Sequence, residues 1–311
     1  MRKIFFKILL FVLSFIPIFL LLIVVWGTII PKQFRKNLFV INESRGDYLF
    51  KRLENVKQYK NVDVLFLGSS HACRNFDTRI FKEKGIYTFN LGSTGQTPAQ
   101  SEMFLNKYID SLNPKLIVFE TFPYLFQADN IESELNLILN GFYSVNLENS
   151  IKILKEKNIK LINSYLFEMV FKPIKKKFEK NIPIEQSSNK YIEGGYVETD
   201  KGFDKASAIP YKNKRWKPDF NQEIALDNIV KMTKRKRIKL LLIQAPVTKK
   251  CFNYLDNNNE IDSFFTAKGT YYNFNKLIDL NESEYFFDTN HLNQKGVDSF
   301  NRAFIRMCLN H

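Results

Sequence analysis

Apolar runs alternate with stretches of helical spacing from residue 62 onward, and this alternation constrains the fold more than any other feature. The run at 62–67 is apolar apart from Asp63, as expected of a strand that is buried on both faces. Alternation of strands and helices predicts a parallel sheet with helices on both faces. Further strands are predicted at 87–91, 116–119 and 238–243, with a short fifth at 277–280. Helices are predicted at 71–84, 97–112, 224–234 and 293–308.

The pattern loosens between about 125 and 220, where helical stretches at 132–139 and 151–171 precede a polar loop. We interpret this part as an insertion or lid over an α/β core. The sequence therefore predicts four parts, namely a short N-terminal tail at 1–7, a membrane anchor at 8–30, a connector at 31–60 and an α/β domain at 61–311.

The predicted anchor rests on a run without any charged residue from Ile8 to Trp26, which stays apolar as far as Ile30. A helix that crosses a bilayer needs roughly 20 such residues. Trp26 suits the membrane interface, and Pro17 is tolerated inside a membrane helix. The alternative is a cleaved signal peptide, whose apolar region is usually about 7–15 residues long. We favour the anchor, although similar positive charge on both sides of the run leaves its orientation open.

The net charge of +14 raises nucleic-acid binding as a first hypothesis. The basic residues are spread along the chain, however, and neither zinc-finger spacing nor a ribonucleoprotein-type aromatic motif occurs, so no nucleic-acid partner is expected. Solvated faces explain the charge, and attraction to anionic lipid or an anionic glycopolymer is the alternative. Three cysteines without a CxxC motif predict neither a zinc site nor a disulfide framework. Cys73 is expected to be a buried small side chain.

A candidate nucleophile follows the first strand, where Gly68 and Ser69 precede Ser70. A serine hydroxyl becomes nucleophilic when a base takes its proton. The start of the following helix supplies free N–H groups and a positive dipole end, which favour an oxyanion. The alternative is that this segment only caps the helix, since serine is a preferred N-cap residue.

A candidate base lies near the other end of the chain, where Asp288 precedes His291 by three residues. A carboxylate at this spacing can hold one imidazole nitrogen while the other faces Ser70, which would complete a Ser-His-Asp site. Two ligands do not make a metal site, and no metal or organic cofactor is expected.

Four residues lie just past predicted strand ends, where ligands bind in open parallel sheets: Ser70, Gly92, Glu120 and Pro246. Neither Glu120 nor Asp77 receives a role from the sequence. His71 is interpreted as an ordinary residue at a helix start, and the alternative is that it supports the catalytic residues from behind. For Arg74, binding of an anionic substrate group and a plain surface position stay open.

The two motifs together resemble those of the SGNH (GDSL-like) hydrolase family, in which a G-D-S block follows the first strand and a D-x-x-H block precedes the last helix. Ser69 stands in place of the family's aspartate. The resemblance implies a three-layer flavodoxin-like fold, a Ser70 nucleophile and an oxyanion hole that includes the N–H groups of Ser70 and Gly92. The third block, G-x-N-D, is not visible, and Thr121 is the candidate substitute for its donor.

The apolar N-terminus and the altered blocks are similar to a membrane-anchored subgroup that includes alginate O-acetylation proteins and the D-alanine transfer protein of teichoic acid synthesis. This resemblance implies a domain outside the cytoplasm, a glycopolymer substrate and a multispanning membrane partner that supplies acyl groups. The sequence thus predicts a membrane-anchored acyltransferase or esterase that acts on a cell-envelope glycopolymer. The alternative is a non-catalytic glycan-binding or assembly protein.

Overall fold

A computed structural model describes residues 2–40, 48–140, 142, 158–178, 188–202 and 214–309. The chain divides into two compact units. The first, here called the helical unit, comprises Met1–Arg45 and Glu134–Glu185. The second, the sheet unit, comprises Gly46–Ser133 and Gln186–His311.

The described part contains seven strands that belong to two sheets. The strands are β1 (Val64–Leu67), β2 (Thr88–Asn90), β3 (Leu116–Glu120), β4 (Asn189–Ile192), β5 (Tyr196–Thr199), β6 (Lys239–Gln244) and β7 (Thr270–Asn273). The helices before β4 are α1 (Arg2–Ile29), α2 (Leu49–Asn55), α3 (Ser70–Asn75), α4 (Thr78–Glu83), α5 (Pro98–Leu112), α6 (Ile131–Leu139) and α7 (Ile159–Phe178). Those after β5 are α8 (Phe220–Lys236), α9 (Lys249–Phe252), α10 (Asn258–Lys268), α11 (Phe274–Leu277), α12 (Glu282–Tyr285) and α13 (Gln294–Phe304).

The main sheet has the strand order β2-β1-β3-β6-β7, and every neighbouring pair is parallel. Leu67 pairs with Phe119, and Glu120 pairs with Ile243, so the carboxyl ends of these strands meet at one edge. This confirms the predicted α/β class with its parallel sheet. The central strands are almost wholly buried, which explains why their sequences are apolar on both faces.

The last helix of the sheet unit covers the sheet with an apolar face. Phe300 and Phe304 on α13 pack against Phe76, and Phe304 also contacts Phe66 on β1 and Phe81 on α4. All five rings are fully buried, and burial of an aromatic side chain contributes roughly 1.5–3 kcal/mol. The segment that carries the D-x-x-H motif directly precedes this helix.

Two predictions of local structure are wrong. The fifth strand is β7, at Thr270–Asn273, and not 277–280. Its polar sequence, Thr-Tyr-Tyr-Asn, hides it from a search for apolar runs, and Leu277 ends α11 instead. The single helix predicted at 71–84 is two helices, because Phe76 is extended and the Asp77 side chain accepts from the Arg79 N–H to cap α4.

The predicted insertion is described only in parts, and its residues 141, 143–157, 179–187 and 203–213 lie outside the described residues. Within the sheet unit, β4 and β5 form an antiparallel hairpin. The hairpin is held to the edge of the main sheet, because the Asn90 N–H donates to the Gly194 carbonyl at 2.7 Å. A side chain at Gly195 would collide with the Asn90 carbonyl, so the hairpin needs glycine for this close approach.

Helix α1 covers the run predicted to be a membrane anchor, and many of its described apolar side chains are exposed. Within the helical unit, the ring of Phe167 on α7 lies against Gly27. Among the described residues, no helix is long and apolar enough to cross a membrane. The anchor at 8–30 stays a prediction.

Candidate active site

The turn after β1 fixes the position of Ser70. Gly68 has φ +133°, and a Cβ there would lie 2.7 Å from the Glu120 backbone oxygen. Only glycine fits this turn without strain. Ser69 then caps α3, because its Oγ accepts from the His71 N–H at 3.1 Å. The capping role, which was the alternative for this segment, belongs to Ser69, and Ser70 is the first residue of the helix.

The hydroxyl of Ser70 faces the imidazole of His291, with 2.9 Å between Oγ and Nε2. On the other side of the ring, Nδ1 lies 2.9 Å from Oδ2 of Asp288. A carboxylate only accepts hydrogen bonds, so Nδ1 carries the hydrogen and Nε2 offers its lone pair to Ser70. The structure therefore brings the three predicted residues together in the order that a Ser-His-Asp site requires.

Asp288 is itself held in place by its own loop. Its Oδ1 accepts from the backbone N–H groups of Asn290 at 2.8 Å and His291 at 2.7 Å. Burial alone would raise the pKa of Asp288, but the hydrogen bonds and charge of His291 and these N–H groups hold the pKa below its ordinary value. The carboxylate is therefore ionised and oriented before any substrate arrives.

A cavity of about 210 Å³ opens in front of Ser70. Two cationic side chains line it, Arg74 from α3 and Lys201 from the segment after β5. The Arg74 guanidinium donates to the neutral Asn189 side chain at 3.1 Å, and Lys201 is exposed. The remaining lining residues are Ser70, Thr94, Phe287, Asp288 and His291. The cavity entrance beside Ser70 therefore carries two positively charged side chains.

Two of the predicted oxyanion donors are engaged elsewhere. The Gly92 N–H donates to Oδ1 of Asn90 at 3.0 Å, and a Cβ at Gly92 would clash with Ala72. Gly92 is thus a packing glycine beneath α3. The Thr121 N–H donates to the Ile243 carbonyl at 2.7 Å, as a continuation of the β3–β6 ladder. Only the Ser70 N–H, which makes no hydrogen bond to a described residue, is left of the three predicted backbone donors.

His71 has the position of the alternative interpretation, a support behind the site, and not that of an ordinary helix-start residue. It is 1% exposed, and its Nε2 lies 2.6 Å from the Asn290 carbonyl oxygen. Its ring lies over the ring of His291 with 4.9 Å between centroids and 17° between planes. Desolvation, followed by the neighbouring His291, lowers the pKa of His71 to about 3, so it is a neutral imidazole. The sequence shows that His71 follows Ser70 directly, but it does not show the contact of His71 with His291.

Glu120, to which the sequence gives no role, also lies next to the site. It is 2% exposed at the end of β3, with Oε2 lying 3.0 Å from Ser69 Oγ. Burial raises its pKa to about 8. Lys201 was missed because it lies in a polar loop without any motif. Cys73 is fully buried, as expected. Among the described residues, no three His, Cys, Asp or Glu side chains are grouped so as to hold a metal ion.

Comparisons with known proteins give similarities in structure only. No family model matches the chain, and no curated protein matches it in sequence. Three solved structures illustrate the similarity. A protein from Bacteroides fragilis described as an acylhydrolase is 14% identical, with 84% of this chain and 95% of that chain covered and a TM-score of 0.39.

The other two are described as GDSL-like lipases. The one from Bacteroides thetaiotaomicron is 15% identical, with coverage of 84% and 98% and a TM-score of 0.40. The one from Parabacteroides merdae is 12% identical, with coverage of 80% and 95% and a TM-score of 0.34. At these TM-scores the likeness carries no argument about what this chain does, and the chemistry rests on the geometry of its own residues.

Proposed function

We propose that this chain is a serine-dependent acyl-group enzyme, either an acyltransferase or an esterase. The observation that carries the proposal is the unbroken line of hydrogen bonds from Ser70 through His291 to Asp288, which opens onto a cavity. If Ser70 only capped a helix and His291 only packed in the core, neither would need to be hydrogen-bonded in the order serine, histidine, aspartate.

The geometry supports a two-step reaction. Ser70 Oγ attacks the carbonyl carbon of an acyl ester while His291 Nε2 takes the hydroxyl proton. Asp288 stabilises the imidazolium, and the Ser70 N–H donates to the oxyanion. The imidazolium then protonates the departing alcohol, which leaves an acyl group on Ser70. In the second step His291 deprotonates water or a sugar hydroxyl, which takes the acyl group and restores the enzyme.

The proposed substrate carries a negative charge close to its acyl ester. Arg74 and Lys201 both line the cavity, and Asp288, its one described carboxylate, is paired with His291. An anionic group on the substrate would therefore be attracted to this mouth. The Arg74 guanidinium keeps donors beyond the one that it gives to Asn189. This extends the substrate-binding role considered for Arg74 and adds Lys201 to it.

We further propose that the enzyme is membrane-anchored through residues 8–30, with its C-terminal domain outside the cytoplasm. In this proposal it acts on O-acyl groups, acetyl or similar, of a cell-envelope glycopolymer, and a multispanning membrane protein supplies the acyl group. The support is the long uncharged N-terminal run and the resemblance of the motifs to anchored O-acylation proteins. Protease treatment of intact cells tests the topology, because a domain that is protected until lysis would contradict it.

A non-catalytic glycan-binding role is the second candidate, and one observation favours it. The N–H groups of Gly92 and Thr121 are engaged, which leaves fewer donors for an oxyanion than the resemblance implies. Loss of one such donor typically costs about 10²–10³ in rate.

Hydrolysis of p-nitrophenyl acetate by the full-length protein distinguishes the two candidates. The enzyme proposal predicts turnover that Ser70→Ala abolishes. Ser263→Ala is the matched control, because Ser263 is an exposed helical serine that hydrogen-bonds only its own helix. Equal rates for the wild type, Ser70→Ala and Ser263→Ala would favour the non-catalytic role.

A further inference from the structure

A second line of hydrogen bonds runs beneath the catalytic one. Oε2 of Glu120 lies 3.0 Å from Ser69 Oγ, and this Oγ lies 3.3 Å from Nδ1 of His71. His71 Nε2 in turn lies 2.6 Å from the carbonyl oxygen of Asn290, the residue before the proposed base. All three side chains are at most 2% exposed. The proposed reaction uses none of them directly.

The positions of the hydrogens in this line follow from its two ends. A carbonyl oxygen only accepts, so His71 Nε2 carries the hydrogen and donates to Asn290. The buried ring is neutral, so Nδ1 is an acceptor, and Ser69 Oγ is the donor within reach. Ser69 has a single hydroxyl hydrogen, and two acceptors compete for it, Oε2 of Glu120 at 3.0 Å and Nδ1 of His71 at 3.3 Å.

A proton on Glu120 resolves this competition, because the Ser69 hydrogen is then free for His71. If Ser69 donates to His71, its Oγ faces Glu120 with a lone pair, and an ionised carboxylate there would oppose it with another. A carboxylic acid removes this conflict, because its O–H donates to Ser69. The resulting chain has one direction, from Glu120 to Ser69, to His71 and to the Asn290 carbonyl.

The surroundings of Glu120 agree with a neutral acid. Desolvation is the main influence and raises its pKa to about 8, partly opposed by the Ser69 hydroxyl and by the N–H groups of Phe122, Ala245 and Ser69. Among the described residues, Tyr271 on β7 interacts electrostatically with Glu120, and its phenol is hydrogen-bonded to Asp262 and Gln244. His71 on α3 is linked to Glu120 through Ser69. The turn glycine, Gly68, lets the Glu120 backbone and Cβ pack directly beneath the nucleophile turn.

We propose that Glu120 is a positioning residue that, as a protonated acid, donates to Ser69 and through Ser69 and His71 holds the Asn290–His291 segment against Ser70. This proposal rests on the proposed acyl-group chemistry for its effect on rate, but not for the protonation itself. His71 holds the base in two ways, by its hydrogen bond to Asn290 and by its ring contact with His291.

Ionisation of Glu120 reverses its hydrogen bond with Ser69. When the Glu120 O–H bond breaks and the proton goes to solvent, the carboxylate accepts a hydrogen bond from the Ser69 hydroxyl, and His71 Nδ1 loses its donor. The His71 ring is then oriented less firmly, and the Asn290–His291 segment that it contacts is positioned less firmly as well. Because the protonated form is the active one, activity is present below the pKa of Glu120 and is lost as the pH rises through about 8.

The test measures kcat for p-nitrophenyl acetate against pH with the full-length protein. We expect the wild type to lose activity above a pH of about 8. In Glu120→Gln the amide N–H donates to Ser69 at every pH, so kcat stays within about threefold of wild type below pH 8 and the alkaline loss disappears. Glu120→Ala and Ser69→Ala break the line, and kcat falls about 10–100-fold, as for other residues that orient a catalytic group.

Glu102→Gln is the matched control, since Glu102 is another carboxyl whose pKa burial raises, and it lies on α5. It should leave the alkaline loss unchanged. A residue with only a structural role would change stability without removing the alkaline limb. An unchanged alkaline limb in Glu120→Gln, or a loss of kcat in that variant as large as in Glu120→Ala, would overturn the proposal.

Infrared spectroscopy tests the protonation without any turnover. In the full-length Ser70→Ala protein, the C=O band of a protonated carboxylic acid should be present at pH 6, disappear above a pH of about 8 and be absent when Glu120→Gln is added. If neither the wild type nor any variant turns over substrate but this band is found, the proposed function is wrong and the protonation of Glu120 is confirmed. If turnover is found but the band is missing, the line fails and the proposed function stands.

Discussion

The two histidines at the site share a ring contact but have opposite surroundings. His291 has Asp288 on one nitrogen and Ser70 on the other, beside an open cavity. His71 has a backbone carbonyl on one nitrogen and Ser69 on the other, and it is fully buried. Burial lowers the pKa of His71, whereas His291 is paired with the Asp288 carboxylate.

This difference shows how one sequence pattern supports two roles. Ser69 and Ser70 are adjacent, yet the turn at Gly68 points the first toward the interior and the second toward the cavity. A histidine beside a carboxylate and solvent can take and return a proton, which catalysis requires. A histidine in the interior can only hold a fixed tautomer, and this makes it suitable for positioning.

The largest expected effect separates the two serines. Ser70→Ala removes the nucleophile and should lower kcat/KM by about 10⁴-fold or more. Ser69→Ala removes only a positioning group and should cost about 10–100-fold. Ester hydrolysis measured side by side, with thermal unfolding as a check on folding, tests the ranking. Equal losses of kcat/KM in the two variants would contradict the assignment of different roles to the two serines.

The next effect concerns the carboxylate that distinguishes His291 from His71. Asp288→Asn should lower kcat by about 10³-fold or more, because an amide neither stabilises the imidazolium nor fixes the required tautomer. The loss should appear in kcat and not in KM, since Asp288 acts through His291. Steady-state kinetics at pH 7 measure both constants, and a change confined to KM would assign Asp288 to binding instead.

A smaller effect, on the free energy of unfolding, is expected at the Gly68 turn, which directs Ser69 and Ser70 to different partners. Gly68→Ala places a Cβ about 2.7 Å from a Glu120 backbone atom at φ +133°, and we expect a loss of about 2 kcal/mol or more. Gly85→Ala is the matched control, because Gly85 has φ +72° but nothing within 4 Å of its Cβ. It should cost about 1 kcal/mol. Denaturant unfolding compares the two, and equal losses would mean that packing against Glu120 is unimportant.

The smallest effect tests the charged mouth of the cavity. Arg74→Gln and Lys201→Gln should each raise KM about 3–10-fold for an acetyl ester that carries a carboxylate, by loss of a partly screened charge interaction. KM for a neutral acetyl ester of the same size should not change. If both esters respond equally, the two side chains shape the cavity and do not select charge.

The sequence predicts the central sheet and the grouping of Ser70, His291 and Asp288 because both leave local signals. The apolar strands β1, β3 and β6 are continuous runs, and the short motifs around Ser70 and His291 lie at element boundaries. Parallel strands then bring residues 221 positions apart within hydrogen-bond distance. Strand β7 is missed because its polar tyrosines do not form an apolar run.

The second line could not be predicted, because its parts are defined by burial. The sequence places Glu120 near the site without a role and leaves a supporting role for His71 as an alternative, and only the fold buries them together under the turn. The oxyanion-hole role predicted for Gly92 is not observed for a related reason. The N–H at this loop position can point to a ligand or to the neighbouring Asn90 side chain, and the sequence does not distinguish the two. The strands can be predicted from short stretches of sequence. The hydrogen-bond partners at the strand ends depend on residues that are distant in the sequence, and so they cannot.

The central claim, that Ser70 is an activated nucleophile, is tested most directly by mass spectrometry of the intact protein after incubation with a fluorophosphonate. We expect one covalent increment that maps to Ser70, persists in Ser69→Ala at a reduced rate and is absent in His291→Ala. An increment on Ser69, or a label on Ser70 that forms equally fast without His291, would contradict the account. No labelling of the folded wild type would contradict it as well.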